Sequence, residues 1–434
     1  MDFGIYVHIP FCKQFCYYCD FFKSANYKFL PGFVDAIEKE IEFYTDIYQK
    51  KLEVEDKFYQ LNSGFENINV RSIYLGGGTP SSLSLTDLER IISKMRTHFS
   101  FQDGSFNDLE ITIEMNPEDA DLYFYKELRS IGFNRLSIGI QSFNNRINKF
   151  LHRRHDADSS IRSIEMARKA GFDNISIDLI YGIPGQSLLD FEFDLDIFFH
   201  YELEHLSAYH LSIEDRTEFG RRKKKNLIND INDVLSNQFY QFLIKQMRKH
   251  GYEHYEISNF SLPGFKSKHN SSYWTGASYL GLGPSAHSYN GGAYRKFNIS
   301  SVKEYNHYLR YNLPFYQTEY VSFYSQYNEF IINGLRTQKG FLLEELKNHL
   351  RYQDLFLNFT DNSFTEHRLP IWNNIVKHYY SSLNNLKKNF ADAFESFEPA
   401  LRLKEDYYLV SDYYIQKLIL NPDDYLDNTL DRLI

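Results

Sequence analysis

Six short apolar runs rich in β-branched residues, each followed by an amphipathic stretch, constrain the first 250 residues more than any other feature. The runs are Ile5–Pro10, Ser72–Gly76, Leu109–Met115, Arg135–Gln141, Ile175–Tyr181 and Leu206–Ile213. Apolar residues recur at helical spacing over Leu30–Tyr48, Leu85–Phe99, Asp121–Ile131, Ser159–Ala170, Leu188–Tyr201 and Val234–His250. Gly132 and Gly171 each stand between a helical pattern and the next strand, where a left-handed C-terminal turn needs glycine. Strand–helix repeats of this kind join parallel strands by right-handed crossovers. Six units are too few to close an eight-stranded barrel. The expected fold is therefore α/β, an open partial (β/α)6 TIM-like barrel over residues 1–250, with a polar surface insertion near 50–69.

After Gly251 the pattern changes. Residues 251–304 are rich in Gly, Ser, Asn and Tyr and read as loops covering the barrel mouth. Helical patterns then dominate, including Gln326–Arg336, Leu342–Leu350 and Asn373–Leu386, with a β-hairpin and helix expected over Asp406–Leu418. Residues 305–434 thus form a smaller, mainly helical C-terminal domain, a winged-helix-like arrangement being one candidate.

The formal charge of -9 argues against wholesale nucleic-acid binding, which needs surplus Lys and Arg. The run Arg221-Arg222-Lys223-Lys224-Lys225 is a local exception, read as a solvated loop or as a dock for an acidic partner or lipid head groups. No run reaches the ~18 apolar residues of a spanning helix, and no basic-then-apolar leader opens the chain. The expected location is cytoplasmic, with membrane contact peripheral at most. Thiols stay reduced there, and all three cysteines lie within eight residues of one another.

Those cysteines, Cys12, Cys16 and Cys19, are spaced Cys-x3-Cys-x2-Cys. Such a loop can wrap three thiolates around one face of a [4Fe-4S] cluster and leave one iron open to a small chelating ligand. Zinc is the alternative, with His8 as fourth ligand. The loop follows the first strand of the series, at the end where barrel enzymes build their sites.

Further motifs accompany it: Gly76-Gly77-Gly78-Thr79-Pro80, Glu114-x-Asn116-Pro117, the RLSIGIQSF of Arg135–Phe143, the DLIYGIPGQ of Asp178–Gln186 and the HNSSYW of His269–Trp274. Together they resemble the radical S-adenosylmethionine (SAM) superfamily. More narrowly they resemble the oxygen-independent coproporphyrinogen III dehydrogenases and the related HemW heme chaperones, in order from about residue 3 to residue 340. The resemblance implies a cluster on the three cysteines and reductive cleavage of SAM, with no catalytic acid–base residue required. It assigns Gly77, Gly78 and Thr79 to the SAM amino group, and Glu114 to its ammonium or ribose hydroxyls. Gln141, Arg153 and Asp178 are carried over as further SAM contacts, with Arg154 competing for the place of Arg153. Tyr6 and Tyr18 are expected to pack on the adenine or the cluster.

Two features separate the activities within that resemblance. The dehydrogenases carry Gly-Cys after the third ligand, where this chain has Asp20-Phe21, and an extension ahead of the first strand, where this chain begins almost at Ile5. Both favour the heme chaperones, as does HNSSYW, in which His269 is a candidate axial heme ligand beside Tyr273 and Trp274. His287 is a second candidate. The expected cofactors are the cluster, SAM and heme, and the expected partners are heme-accepting apo-proteins. No nucleic acid is expected, and the sequence does not identify the electron donor.

Overall fold

The computed structural model describes residues 2–48, 69–99, 101, 106, 109–342, 344–346, 378–396, 400–404 and 411–419. The expected insertion near 50–69 lies almost wholly outside the described residues, as do most of Leu342–Leu350 and the hairpin expected from Asp406.

The six expected strands form as β1 (Asp2–Ile9), β2 (Asn69–Gly77), β3 (Glu110–Met115), β4 (Arg135–Gln141), β5 (Ile175–Tyr181) and β6 (His205–His210). They pair in sequence order, all parallel. Helices α1 (Leu30–Tyr48), α2 (Leu85–His98), α3 (Leu122–Ile131), α4 (Asn145–Phe150), α5 (Ala157–Lys169) and α6 (Leu188–His200) make the crossovers. Alternation along β1 sends Ile5, Val7 and Ile9 into the core that holds Phe33, Ile37 and Ile41 of α1. Each such side chain contributes about 1.5–3 kcal/mol by leaving water. The alternate residues Tyr6 and His8 point into the barrel. Gly132 ends α3 at φ 120° and Gly171 follows α5 at φ 89°, the left-handed turns their positions foretold.

Two expectations are corrected. The run Arg221–Lys225 is not a loop: it lies largely in α7 (Glu218–Lys224), whose N-cap Thr217 accepts from the Gly220 amide. Helix α8 (Asp233–Lys249) follows. The stretch read as loops over the mouth contains β7 (Glu253–Glu256), β8 (Asn259–Ser261), α9 (Lys268–Trp274), β9 (Tyr279–Leu282), β10 (His287–Tyr289) and β11 (Tyr294–Asn298). These strands, with β12 (Tyr316–Tyr320), extend the sheet on both edges to twelve strands, ordered β12-β11-β10-β9-β1-β2-β3-β4-β5-β6-β8-β7. The barrel stays open, because its edge strands never meet. The C-terminal region has the expected helices. Helix α10 (Val302–Arg310), α11 (Phe323–Leu335), helical residues 378–389 and α12 (Ser411–Ile415) accompany a small antiparallel sheet. Its order is β13 (Phe341–Leu342), β15 (Ala400–Leu403), β14 (Phe394–Ser396).

A buried polar knot fastens the β9–β11 edge to the helices. Glu40 of α1 accepts from the Gly283 amide at 2.8 Å, Asn298 Nδ2 at 2.7 Å and the Tyr305 hydroxyl at 2.5 Å. Lys296 lies over the rings of Tyr44 and Tyr316, 4.0 and 4.3 Å from their centroids. Burial raises the pKa of Glu40 and lowers that of Lys296 to about 7, and the attraction between the two works against both shifts.

Candidate radical SAM site

The cysteine loop leaves β1 at its C-terminal end and is tied down on both flanks. Ser24 N–H donates to the Pro10 carbonyl at 2.7 Å, and Cys12 N–H to the Ser24 carbonyl at 3.0 Å. Tyr17 donates its N–H to Leu151 O and accepts from Phe219 N–H at 2.9 Å. Its ring stacks on His152 at 4.1 Å with Arg222 on it at 4.2 Å. The basic helix thus grips the loop from outside.

Each thiol has a donor or cation beside it. Thr79 Oγ1 donates to Cys12 Sγ at 3.6 Å and Arg153 Nη1 to Cys16 Sγ at 3.2 Å. Lys23, bonded to the Cys19 carbonyl, offsets the rise that burial imposes on the Cys19 thiol. Burial pushes Cys12 up to about 11. Donors of this kind suit sulfurs that become thiolates on binding a cluster. His8, the fourth ligand of the zinc alternative, is engaged at both nitrogens. The Phe22 carbonyl can only accept, so Nε2 carries the proton at 2.9 Å, and Nδ1 accepts from Tyr6 OH at 3.0 Å. It braces the loop. Among the described residues no three His, Cys, Asp or Glu side chains converge on one ion position; the thiols instead line one wall of a cavity.

That cavity, of about 370 Å³, sits over the C-terminal ends of β1–β6. The three cysteines, Tyr18, Gly77, Gly78, Thr79, Glu114, Gln141, Arg153 and Asp178 all line it. Gly77 has φ 105°, and a Cβ there would stand 2.4 Å from the His8 ring; at Gly78 it would meet the Pro10 carbonyl carbon at 2.6 Å. Only glycine lets these strands approach each other. Glu114 accepts from Tyr74 OH at 2.9 Å and Gly77 N–H at 3.0 Å. Burial and the nearby Asp178 raise its pKa to about 7. Burial likewise raises Asp178 to about 6, against hydrogen bonds from Ser207 and Ser137. Two carboxyls held near neutrality make a wall that welcomes a cation and resists standing ionised without one.

Arg153 donates from Nη2 to Asn116 Oδ1 at 2.7 Å and to the Gly139 carbonyl at 2.6 Å. Arg154 turns to Glu118 and Asp119 at 3.4 and 3.6 Å. Gln141 holds φ 68°, at the register shift between β4 and β5. The turn after it is locked by Asp194 of α6, which accepts from Ser142 Oγ at 2.8 Å and Phe143 N–H at 2.6 Å. Tyr6 stands behind His8 and does not line the cavity. Sequence reasoning missed Asn116, Lys23 and Asp194. Asn116 was visible in the Glu-x-Asn-Pro motif; Lys23 and Asp194 carried no pattern.

His269 lies at the other end of the barrel. Helix α9 plugs the interior beside the N-terminal ends of β2 and β3. Glu110 accepts from the Lys268 and His269 amides at 2.9 and 3.0 Å, an anion on the positive end of the helix. His269 is 1% exposed, with Nδ1 on Ser72 Oγ at 2.9 Å and Nε2 on Tyr273 OH at 3.0 Å. Its ring stacks on Tyr74 at 5.1 Å, and Tyr74 reaches Glu114. Neither nitrogen is open to iron as placed. His287 is exposed at the start of β10.

Comparisons with known proteins agree with this arrangement. A family model described as the radical SAM superfamily matches residues 6–197. The chain is similar to a heme chaperone HemW of Lactococcus lactis, 36% identical over 80% of this chain and 84% of that one. It is similar also to a heme chaperone HemW of Bacillus subtilis, 34% identical over 77% and 83%. Its fold matches the solved structure of HemN, the coproporphyrinogen III oxidase of Escherichia coli, with a TM-score of 0.72 at 21% identity, over 96% of this chain and 90% of that one. No helix among the described residues is long and apolar enough to cross a membrane. The chain belongs to the radical SAM superfamily and, within it, to the HemW family.

Proposed function

We propose that this protein is a heme chaperone: it holds a [4Fe-4S] cluster on Cys12, Cys16 and Cys19, binds SAM in the adjoining cavity, and delivers heme to respiratory or other heme proteins. The reading is carried by three thiols, each with a donor, sharing one cavity with two near-neutral carboxyls and Arg153. The name of the HemW relatives supports the heme assignment.

When bound, the cluster and SAM supply one-electron chemistry. The chain's part is to bind and orient. Glu114 and Asp178 receive positive charge, and Gly77 and Gly78 let the ligand close on the backbone. Arg153 places one charge between Cys16 and Asn116 and has its planar donors fixed before any ligand arrives. A cytoplasmic location with peripheral membrane contact goes with this reading. Oxidative decarboxylation of coproporphyrinogen III is the competing activity, and Asp20-Phe21 in place of Gly-Cys weighs against it; Asp20 is tied to Arg216 at 3.1 Å.

The test is anaerobic reconstitution, with iron and sulfide counted, followed by heme titration and transfer to an apo-heme protein. Coproporphyrinogen III is offered in parallel with SAM and a reductant. Stoichiometric heme binding and transfer are expected. Turnover of coproporphyrinogen without heme binding would overturn the proposal.

A further inference from the structure

We infer that a second cavity, of about 870 Å³, between α9, the β9–β11 edge and α11, is the tetrapyrrole site, with the phenol of Tyr279 beside Arg295 as the iron ligand. The inference rests on the heme reading above and gives that binding a place. The volume is within the range of cofactor pockets. Flat apolar faces come from Tyr273, Trp274, Tyr289 and Phe330. The rim carries Lys266, Arg295, Lys339 and Arg402, paired with Glu253, Glu329, Glu345 and Glu395, and propionates would enter by sharing or displacing these pairs.

No histidine or cysteine is among the described residues lining this cleft. Its metal-binding candidates are phenols, and a tyrosinate is an established ferric heme ligand. A phenolate needs a neighbouring cation. Tyr279 packs edge-on to Tyr273 at 4.8 Å, and Arg295 lies 5.4 Å from the centroid of Tyr289. Burial raises the Tyr279 phenol; Arg295, bonded to its side chain, works against that rise, while Glu329 adds to it. The guanidinium is itself fixed by a two-pronged pair with Glu329, at 2.7 and 2.5 Å. Alternation along β11 puts Lys296 and Asn298 into the Glu40 knot on the opposite face, so Arg295 is aimed from behind. On ligation the Tyr279 oxygen bonds ferric iron, its proton passes to solvent, and no redox change is needed. His269 remains on the inner side of α9, hydrogen-bonded to Tyr273.

The full-length protein is titrated with hemin and followed by absorbance and resonance Raman spectroscopy, with circular dichroism and cluster reconstitution as folding controls. Wild type is expected to give a high-spin ferric tyrosinate signature. Tyr279→Phe should lose it and bind hemin about 10- to 100-fold more weakly, while His269→Gln keeps it. In a Trp372→Phe background, hemin should quench the fluorescence of Trp274. If wild type binds no hemin, the heme reading itself fails. If wild type binds but Tyr279→Phe leaves the spectrum unchanged, or His269→Gln alone abolishes the signature, the heme reading stands and this placement falls.

Discussion

Replacing Glu114 by Gln tests the electrostatics of the SAM cavity in two opposite directions. The carboxylate accepts from Tyr74 OH and Gly77 N–H, and its pKa stands at about 7 because burial and Asp178 oppose its charge. A cationic ligand favours the ionised form, so binding below pH 7 must release a proton. Wild-type SAM affinity should therefore fall by up to about tenfold per pH unit below ~7 and level off above it. Glu114→Gln removes the charge and offers an amide N–H that Gly77 cannot accept. A charge-assisted hydrogen bond contributes about 1.5–3 kcal/mol, so SAM should bind about 10- to 150-fold more weakly, with a flatter pH profile. Stability without ligand moves the other way. Folding lifts this group above its unfolded pKa of about 4.3, so its linkage contribution is fully present below that value and is lost as pH rises through 7. Allowing for water in the cavity, the ligand-free variant should gain on the order of 1–2 kcal/mol over wild type at pH 8 and nothing at pH 4. Equilibrium dialysis of SAM under anaerobic conditions and urea denaturation at the two pH values measure both. Equal SAM affinity for variant and wild type, or a wild-type affinity independent of pH between 6 and 8, would refute the reasoning.

Arg153→Lys cannot keep the fork that reaches Cys16, Asn116 and Gly139, so SAM affinity should fall about 10- to 100-fold; Arg154→Lys, facing Glu118 and Asp119, should shift it about twofold at most, and parallel dialysis decides between them. Gly77→Ala places a methyl 2.4 Å from the His8 ring at φ 105° and should cost about 1–3 kcal/mol in urea denaturation; wild-type stability would show that the strands can part there freely. Asp194→Asn puts an amide N–H against Ser142 or Phe143, at a cost of about 1–3 kcal/mol. It should also loosen the Gln141 turn, read as faster hydrogen exchange at Ser142 and Phe143; unchanged exchange there would remove Asp194 from the support of that turn.

The central strands were legible because their apolar runs are long enough to show a period and alternate with helices of clear amphipathic pattern. The cysteine loop and the glycines beside it were legible because their chemistry is local in sequence. The edge strands were not. β8 and β10 are three residues each, built from Asn, Ser, His, Tyr and Phe, too short to show a period, and they become strands only by pairing with the neighbouring β7, β9 and β11 and, for β8, with the more distant β6. HNSSYW carried too few apolar positions to register as a helix, and its N-terminus is held by Glu110, 159 residues before His269. The basic run looked like a solvated loop because charge hides helical period, although Phe219 beneath it is fully buried. Tyr74 and Asp194 act through neighbours remote in sequence, which no spacing rule reaches, and Lys23 meets Cys19 four residues away only because the loop folds back on itself.

Helix α9 gives the barrel a floor. The interior is consequently a cup and not a conduit, and the cavity above it shares no lining residue with the cleft beyond it. Two compartments with separate doors result. On the proposed assignment, cargo exchanged at the cleft would never pass the sulfurs, and a small cofactor could turn over without displacing it. The shared wall is thin: Tyr273, His269, Tyr74 and Glu114 form one hydrogen-bonded and stacked file between them. That short file of side chains is all that stands between the two cavities.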